Sequence, residues 1–156
     1  MMAARALILL IAVLFPGAAF ANQAVALSSE VFVEKAVLDS DGKNRIILSA
    51  PKIVTPGDRL IFLLNYHNRG SVPATNFVVT NPLPGAVVYD GTNDPAAQMS
   101  VDGGKSWGQL ATLSVHEPDG SVRNARTEDV THVRWTMRKA IPAGGQGKLS
   151  FRGVVR

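Results

Sequence analysis

The sequence predicts an all-β protein folded as a single antiparallel β-sandwich, and three observations carry that expectation. Apolar and polar residues alternate at a period of two in short runs, the spacing of strands with one covered face. Gly, Pro, Asn and Asp punctuate those runs at sandwich-like intervals, with 14 Gly and 9 Pro in the chain. Helical periodicity is nearly absent. At 156 residues, 46% hydrophobic and 18% charged, the chain can build one good core but not two. That hydrophobic share and a formal charge of only +4 argue against intrinsic disorder. Cysteine is absent, which excludes a disulfide framework, a thiolate metal site and a thiol nucleophile. Stability is left to packing and sheet hydrogen bonds.

The first segment is read as an address. Residues 1–21 carry Arg5, an apolar run over residues 7–15, a Pro16-Gly17 break and the small-large-small close Ala19-Phe20-Ala21. This is the layout of a secretory signal peptide cleaved after Ala21. The apolar run is far short of the roughly 20 residues that a membrane-spanning helix needs. No later stretch approaches that length, so no transmembrane segment is expected after cleavage. Residues 22–156 form the expected mature domain of 135 residues, outside the cytoplasm, in the periplasm, secreted or at the cell surface.

About nine strands are expected within it. Residues 29–38 alternate and turn through Asp39 to Asn44 into residues 45–50. Thr55-Pro56-Gly57-Asp58 opens the clearest strand, residues 59–67, where Leu60, Phe62, Leu64 and Tyr66 alternate with Arg59, Ile61, Leu63, Asn65 and His67. Both of its faces are apolar at the centre, as in a central strand. Pro56 and Gly57 suit the middle of a type II turn, whose second position needs positive φ. After residues 75–80, Asn81-Pro82-Leu83-Pro84-Gly85 is expected to lie outside any sheet, because prolines lack ladder donors. Residues 87–89, 98–101, 107–115, 130–137 and 148–155 complete the set.

Read in order, Val54-Thr55-Pro56-Gly57-Asp58, then Asn65-Tyr66-His67-Asn68-Arg69-Gly70, then Pro73 through Pro84 form a recognisable series. It resembles the Ig-like conserved-repeat domain of prokaryotic surface and secreted proteins, known as the domain of unknown function eleven family. The likeness spans about residues 52–156, continuing through Ser100 to Trp107 and Ala143-Gly144-Gly145. Asn81 stands where that family usually has Asp. The resemblance implies an Ig-like sandwich serving envelope or surface architecture, without catalysis. Lys–Asn isopeptide cross-links occur in some such domains, but residues 148–156 hold no Asn or Asp, and none is expected.

Ser100-Val101-Asp102-Gly103-Gly104-Lys105-Ser106-Trp107 matches the Asp-box pattern of sialidases and other propeller enzymes. Its physics is that of a hairpin: Asp102 accepts turn amides, Gly104 permits the turn, and Trp107 packs beneath. One copy cannot build a propeller, which needs several four-stranded blades. A structural hairpin of Ser100, Asp102, Gly104 and Trp107 is therefore expected, with a glycan-active protein as the alternative. His67, His116 and His132 lack any paired metal-ligand spacing, so neither a metal nor another cofactor is expected. A periplasmic assembly or metal chaperone is the other alternative. No G-x-S-x-G elbow and no phosphate-cradling loop before a helix occur. The chain is read as not an enzyme.

Charge is unevenly distributed. Residues 123–156 hold eight basic and two acidic side chains, whereas residues 22–122 hold seven basic and ten acidic. Alternation places His132, Arg134, Thr136 and Arg138 on one strand face and Lys148, Ser150 and Arg152 on another. If residues 140–147 form a hairpin loop, Arg138 faces Lys148 and Arg134 faces Arg152. Like charges opposed across a ladder are destabilising, so the four are expected to form a binding patch, Arg134, Arg138, Lys148 and Arg152, for an anionic envelope polymer, a phosphorylated glycolipid or another envelope protein. Nucleic acid suits the charge but not the export, and no aromatic residues interleave the cations.

Overall fold

The computed structural model describes residues 24–156. The expected signal segment and its cleavage point lie outside the described residues. Ten strands follow one another: β1 (Val25–Leu38), β2 (Asn44–Ser49), β3 (Arg59–Asn68), β4 (Val78–Pro82), β5 (Val87–Gly91), β6 (Gln98–Ser100), β7 (Ser114–His116), β8 (Val122–Asn124), β9 (His132–Thr136) and β10 (Gln146–Val155). The fold is all-β and every strand pair is antiparallel. One sheet has the order β2-β1-β3-β10-β5, the second β4-β9-β6, and β7-β8 is a separate ribbon. Among the described residues no helix is long and apolar enough to cross a membrane.

The sandwich closes on the alternation read from β3. Leu60, Phe62 and Leu64 turn inward beside Leu149 and Phe151 of β10, and Val79, Val133 and Trp135 meet them from the second sheet. Phe62 and Phe151, directly opposed in the ladder, stack with ring centroids 4.5 Å apart. Trp135 and Tyr89 pack around the same ring. Such aromatic pairs add to the area term that dominates burial.

At Thr55–Asp58 the sequence expectation and the geometry agree. Gly57 adopts φ +93, Asp58 N–H donates to Thr55 O at 3.0 Å, and Gly57 N–H donates to Val155 O at 2.9 Å. The Asp58 carboxylate accepts from Thr55 N–H at 2.8 Å, so the turn also ties the start of β3 to the end of β10.

Four expectations are corrected. Asn81 and Pro82 lie within β4 rather than outside the sheets. The exchange is harmless because β4 is an edge strand. Its bonds to β9 fall on odd positions, as Met137 N–H to Phe77 O and Leu83 N–H to Thr131 O show, so Pro82 lacks a donor only where the edge faces outward. Residues 107–115 are not one strand: Gly108 bridges Met99, Leu110–Thr112 is a 3-10 turn, and only Ser114–His116 is strand. Residues 122–124 form β8, a strand that their polar composition hides.

The fourth correction matters most for function. β9 and β10 do not form a hairpin; β9 pairs with β4 and β6, and β10 with β3 and β5. The connection crosses between sheets instead. Ile141 and Ala74 exchange two backbone hydrogen bonds of 2.8 Å, and Asn68 N–H donates to Gly145 O at 2.8 Å. These bonds commit residues 141–145 to the β3 end. Both strands send apolar residues into one core from opposite sides, which a shared ladder would forbid.

Candidate functional site

The four residues of the expected patch are dispersed. Arg152, on the outer face of the five-stranded sheet, donates through Nε to Glu34 Oε1 at 2.9 Å. Arg134, on the second sheet, donates through Nη2 to Gln98 Oε1 at 2.8 Å, and its guanidinium lies 4.2 Å from the Trp107 ring centroid. Its Nε is buried with no acceptor among the described residues. Arg138 lines a small cleft with Gln98, Gln109 and Thr136. Lys148 shares the outer face of β10 with Arg152, four residues along the strand, and lies on a different sheet from Arg134. The supposed cationic ladder does not exist: Arg152 has Glu34 as its counter-charge, and Arg134 has the neutral Gln98 amide and the face of the Trp107 ring.

The Asp-box segment folds as a closed loop between Met99 and Gly108, which exchange hydrogen bonds of 2.8 and 3.1 Å. Asp102 Oδ1 accepts from Ser100 Oγ at 2.7 Å and from the amides of Lys105 and Ser106 at 3.0 Å. Its Oδ2 accepts from Ser106 Oγ at 2.6 Å. Ser106 before all else, then Ser100, holds the Asp102 carboxyl well below the usual carboxylate range. Buried Ser100 accepts from Gly104 N–H at 2.9 Å, and Trp107 Nε1 donates to Gly104 O at 3.0 Å. Both carboxylate oxygens are engaged inside the loop, whose output is the placement of Trp107 over Arg134 and beside His132.

A bidentate pair organises the β7–β8 ribbon. Arg123 donates through Nη1 and Nη2 to Asp129 at 2.6 and 2.8 Å, and through Nε to Glu117 at 2.5 Å. The Arg123 guanidinium holds the Asp129 carboxyl down at about 2. Two of the basic third's charges, Arg123 and Arg152, are thus neutralised locally. His67, His116 and His132 lie on three different strands, and among the described residues no three His, Cys, Asp or Glu side chains gather.

A hollow of about 460 Å³ lies on the outer face of the five-stranded sheet. Register explains it. Two rows of outward residues, Ala26–His67–Gln146 and Ser28–Asn65–Lys148, flank the row Leu27–Tyr66–Gly147. Small Ala26 and Ser28 leave space on the outer side, while the row between turns inward, where a Cβ added at Gly147 would collide with the Tyr66 ring. Arg69 closes one end. His67, Arg69 and Lys148 line the hollow and, among the described residues, no carboxylate does; Glu30 is engaged by Asn65 Nδ2 at 3.1 Å. Of the expected patch only Lys148 belongs to this site. Sequence reading overlooked the rest, although the polar tail of β3, where Asn65, His67 and Arg69 follow an apolar centre at period two, was the available signal. An apolar groove of about 380 Å³ lies at the opposite end, between Val31, Leu60 and Phe62 and the segment Pro51 to Val54.

No family model, curated protein or solved structure matches the chain.

Proposed function

We propose that this chain is a non-catalytic, exported interaction module of the bacterial envelope or surface, of the Ig-like conserved-repeat kind that its sequence resembles. It holds an anionic envelope polymer in the hollow at the β1, β3 and β10 end of the larger sheet. The observation that carries the reading is the lining: the cations Arg69 and Lys148, the His67 imidazole, amide and hydroxyl groups from Asn65, Gln146 and Ser28, and no carboxylate among the described residues. Basic groups supply attraction, and the amides and hydroxyls supply the hydrogen bonds that sugar hydroxyls need. The internal use of Asp102 favours a structural Asp box over a glycan-cleaving one.

The test is retention on an immobilised polyuronate across a salt series. Lys148→Ser combined with Arg69→Ser is expected to shift elution to clearly lower salt, since exposed charge contacts are screened within about 10 Å at 0.1 M salt. Arg134→Ser combined with Arg152→Ser should leave elution where the wild type has it. Equal retention of wild type and the Lys148/Arg69 variant overturns the proposal.

A further inference from the structure

The hairpin of β1 and β2 projects beyond the rest of its sheet. β1 pairs with β3 only as far as Glu34, so, among the described residues, 35–38 and 44–47 have no ladder partner except each other. An isolated two-stranded hairpin is marginal in water, yet this one displays aliphatic side chains. Leu38 is 72% exposed, Ile46 70%, Leu48 50% and Ile47 42%. β2 is an edge strand with neither proline nor bulge, and Arg45 is its only charge. The other edge of the sheet is guarded: β5 carries Asp90 and meets β10 across a register shift. Unguarded edges are pairing sites.

The phase of the hydrogen bonds says what can pair. Asp39 N–H donates to Lys43 O at 2.9 Å, which places the β1–β2 bonds on odd residues of β2. The N–H and C=O groups of Asn44, Ile46 and Leu48 therefore point to the free edge. We infer that this edge pairs antiparallel with the same edge of a second copy, making one continuous sheet across a two-fold axis. An isologous pairing must put one residue opposite itself. With Ile47 on the axis, Ile46 meets Leu48 of the second copy on one face, Ile47 meets its equivalent on the other, and Arg45 meets Ser49. Moving the axis to Ile46 would instead set Arg45 against Ile47 and Asn44 against Leu48.

Charge favours pairing between copies in either register: with Ile47 on the axis Lys52 of the second copy comes opposite Gly42, and with Ile46 on the axis opposite Ser40, both within a hairpin tip where Asp39 and Asp41 outnumber Lys43. By symmetry the contact occurs twice. The exposed aliphatic surface sets the strength. It amounts to a few hundred Å² per copy, well below the roughly 800 Å² per partner of a standard interface. The dimer is accordingly a weak, concentration-dependent one.

Sedimentation velocity of the protein as exported and processed by the cell, from micromolar to millimolar, tests this directly. The weight-average mass is expected to climb from one chain towards two, and Ile46→Lys is expected to hold it at one chain throughout. Because the chain has no cysteine, single substitutions read the register. Ile47→Cys, opposite itself at a Cα separation of about 4.5 Å, should oxidise to a disulfide-linked dimer, as that spacing suits the bond. Arg45→Cys should not. A wild type that stays monomeric, a dimer that survives Ile46→Lys, or equal cross-linking of the two cysteine variants overturns the inference. A hairpin that captures a different chain while the protein itself stays monomeric overturns it too.

Discussion

Asn68 shows how much one side chain can govern. In the sequence it sits in a polar run, Asn68-Arg69-Gly70-Ser71, that reads as turn punctuation. In the fold it is wholly buried. Its Nδ2 donates to Val72 O and Ile141 O at 2.9 Å and to Pro142 O at 3.1 Å, while Oδ1 accepts from Gly70 N–H at 3.0 Å. One amide thus ties the end of β3 to the crossover that sends the chain from β9 to β10. Asn68→Ala leaves those carbonyls unpaired and is expected to cost about 2–3 kcal/mol in urea denaturation. Asn68→Asp should cost more, because a carboxylate would face three carbonyl oxygens that want a donor. Equal stability of the two variants would show that the amide's donors matter little. The same residue scale explains Arg134: its sequence neighbours suggested a ligand, whereas Gln98 and the Trp107 ring already occupy its guanidinium.

Among the elements, the β7–β8 ribbon and the turn that follows it depend most visibly on charge. Asp129 accepts both Arg123 nitrogens and also Arg126 N–H at 2.8 Å, which closes the 3-10 turn Thr127–Asp129. Its carboxyl is held at about 2 in the fold, against about 3.9 for a free Asp. A depressed carboxyl stabilises the fold fully above its unfolded value, and that contribution is lost as pH falls through its folded value. The window therefore runs from about pH 4 down to about pH 2. Thermal melts of wild type and Arg123→Gln should differ near neutral pH, and the gap should narrow across this window. A gap that stays constant down to pH 2 would mean that the ion pair contributes nothing beyond packing. Elements were legible in the sequence where alternation was strong, as in β3 and β10. They were harder to read in the three-residue strands: β6 was expected at 98–101, whereas β7 was merged into a longer run and β8 was missed, since so short a run has little period to read.

The proposed two-fold pairing changes what the whole molecule can do. A two-fold axis perpendicular to the sheet keeps the outer faces of both copies on one side, so the two hollows face the same way. A long polymer can then engage both, and the second contact becomes intramolecular. Ile46→Lys is expected to lower retention on a long polyuronate while leaving the affinity for a short uronate oligomer unchanged. Equal loss on both ligands would separate the two proposals, since it would mean that the hairpin edge acts on the hollow itself. At this scale the basic third of the sequence also takes its meaning. Its excess charge is not one surface but several, because Arg123, Arg134 and Arg152 are each engaged by a different neighbour.

What the sequence determined by itself was local: the all-β class, most strand positions, the Pro56-Gly57 turn and the Asp-box loop. Each depends on side-chain period or turn chemistry within about eight residues, and those are properties of the chain before it folds. What only the tertiary structure decided was partnership. β9 and β10 are consecutive strands of like pattern, and adjacency suggested a hairpin. The core instead placed Trp135 and Phe151 against each other from opposite sheets, 6.2 Å between ring centroids, a contact across the interior and not along one ladder. That choice scattered the expected patch. It also brought Lys148 beside Asn65 and Gln146 beside His67 from segments some eighty residues apart. Period two tells which face a residue occupies, but strand order tells whose company it keeps, and strand order is set by burial across the whole chain.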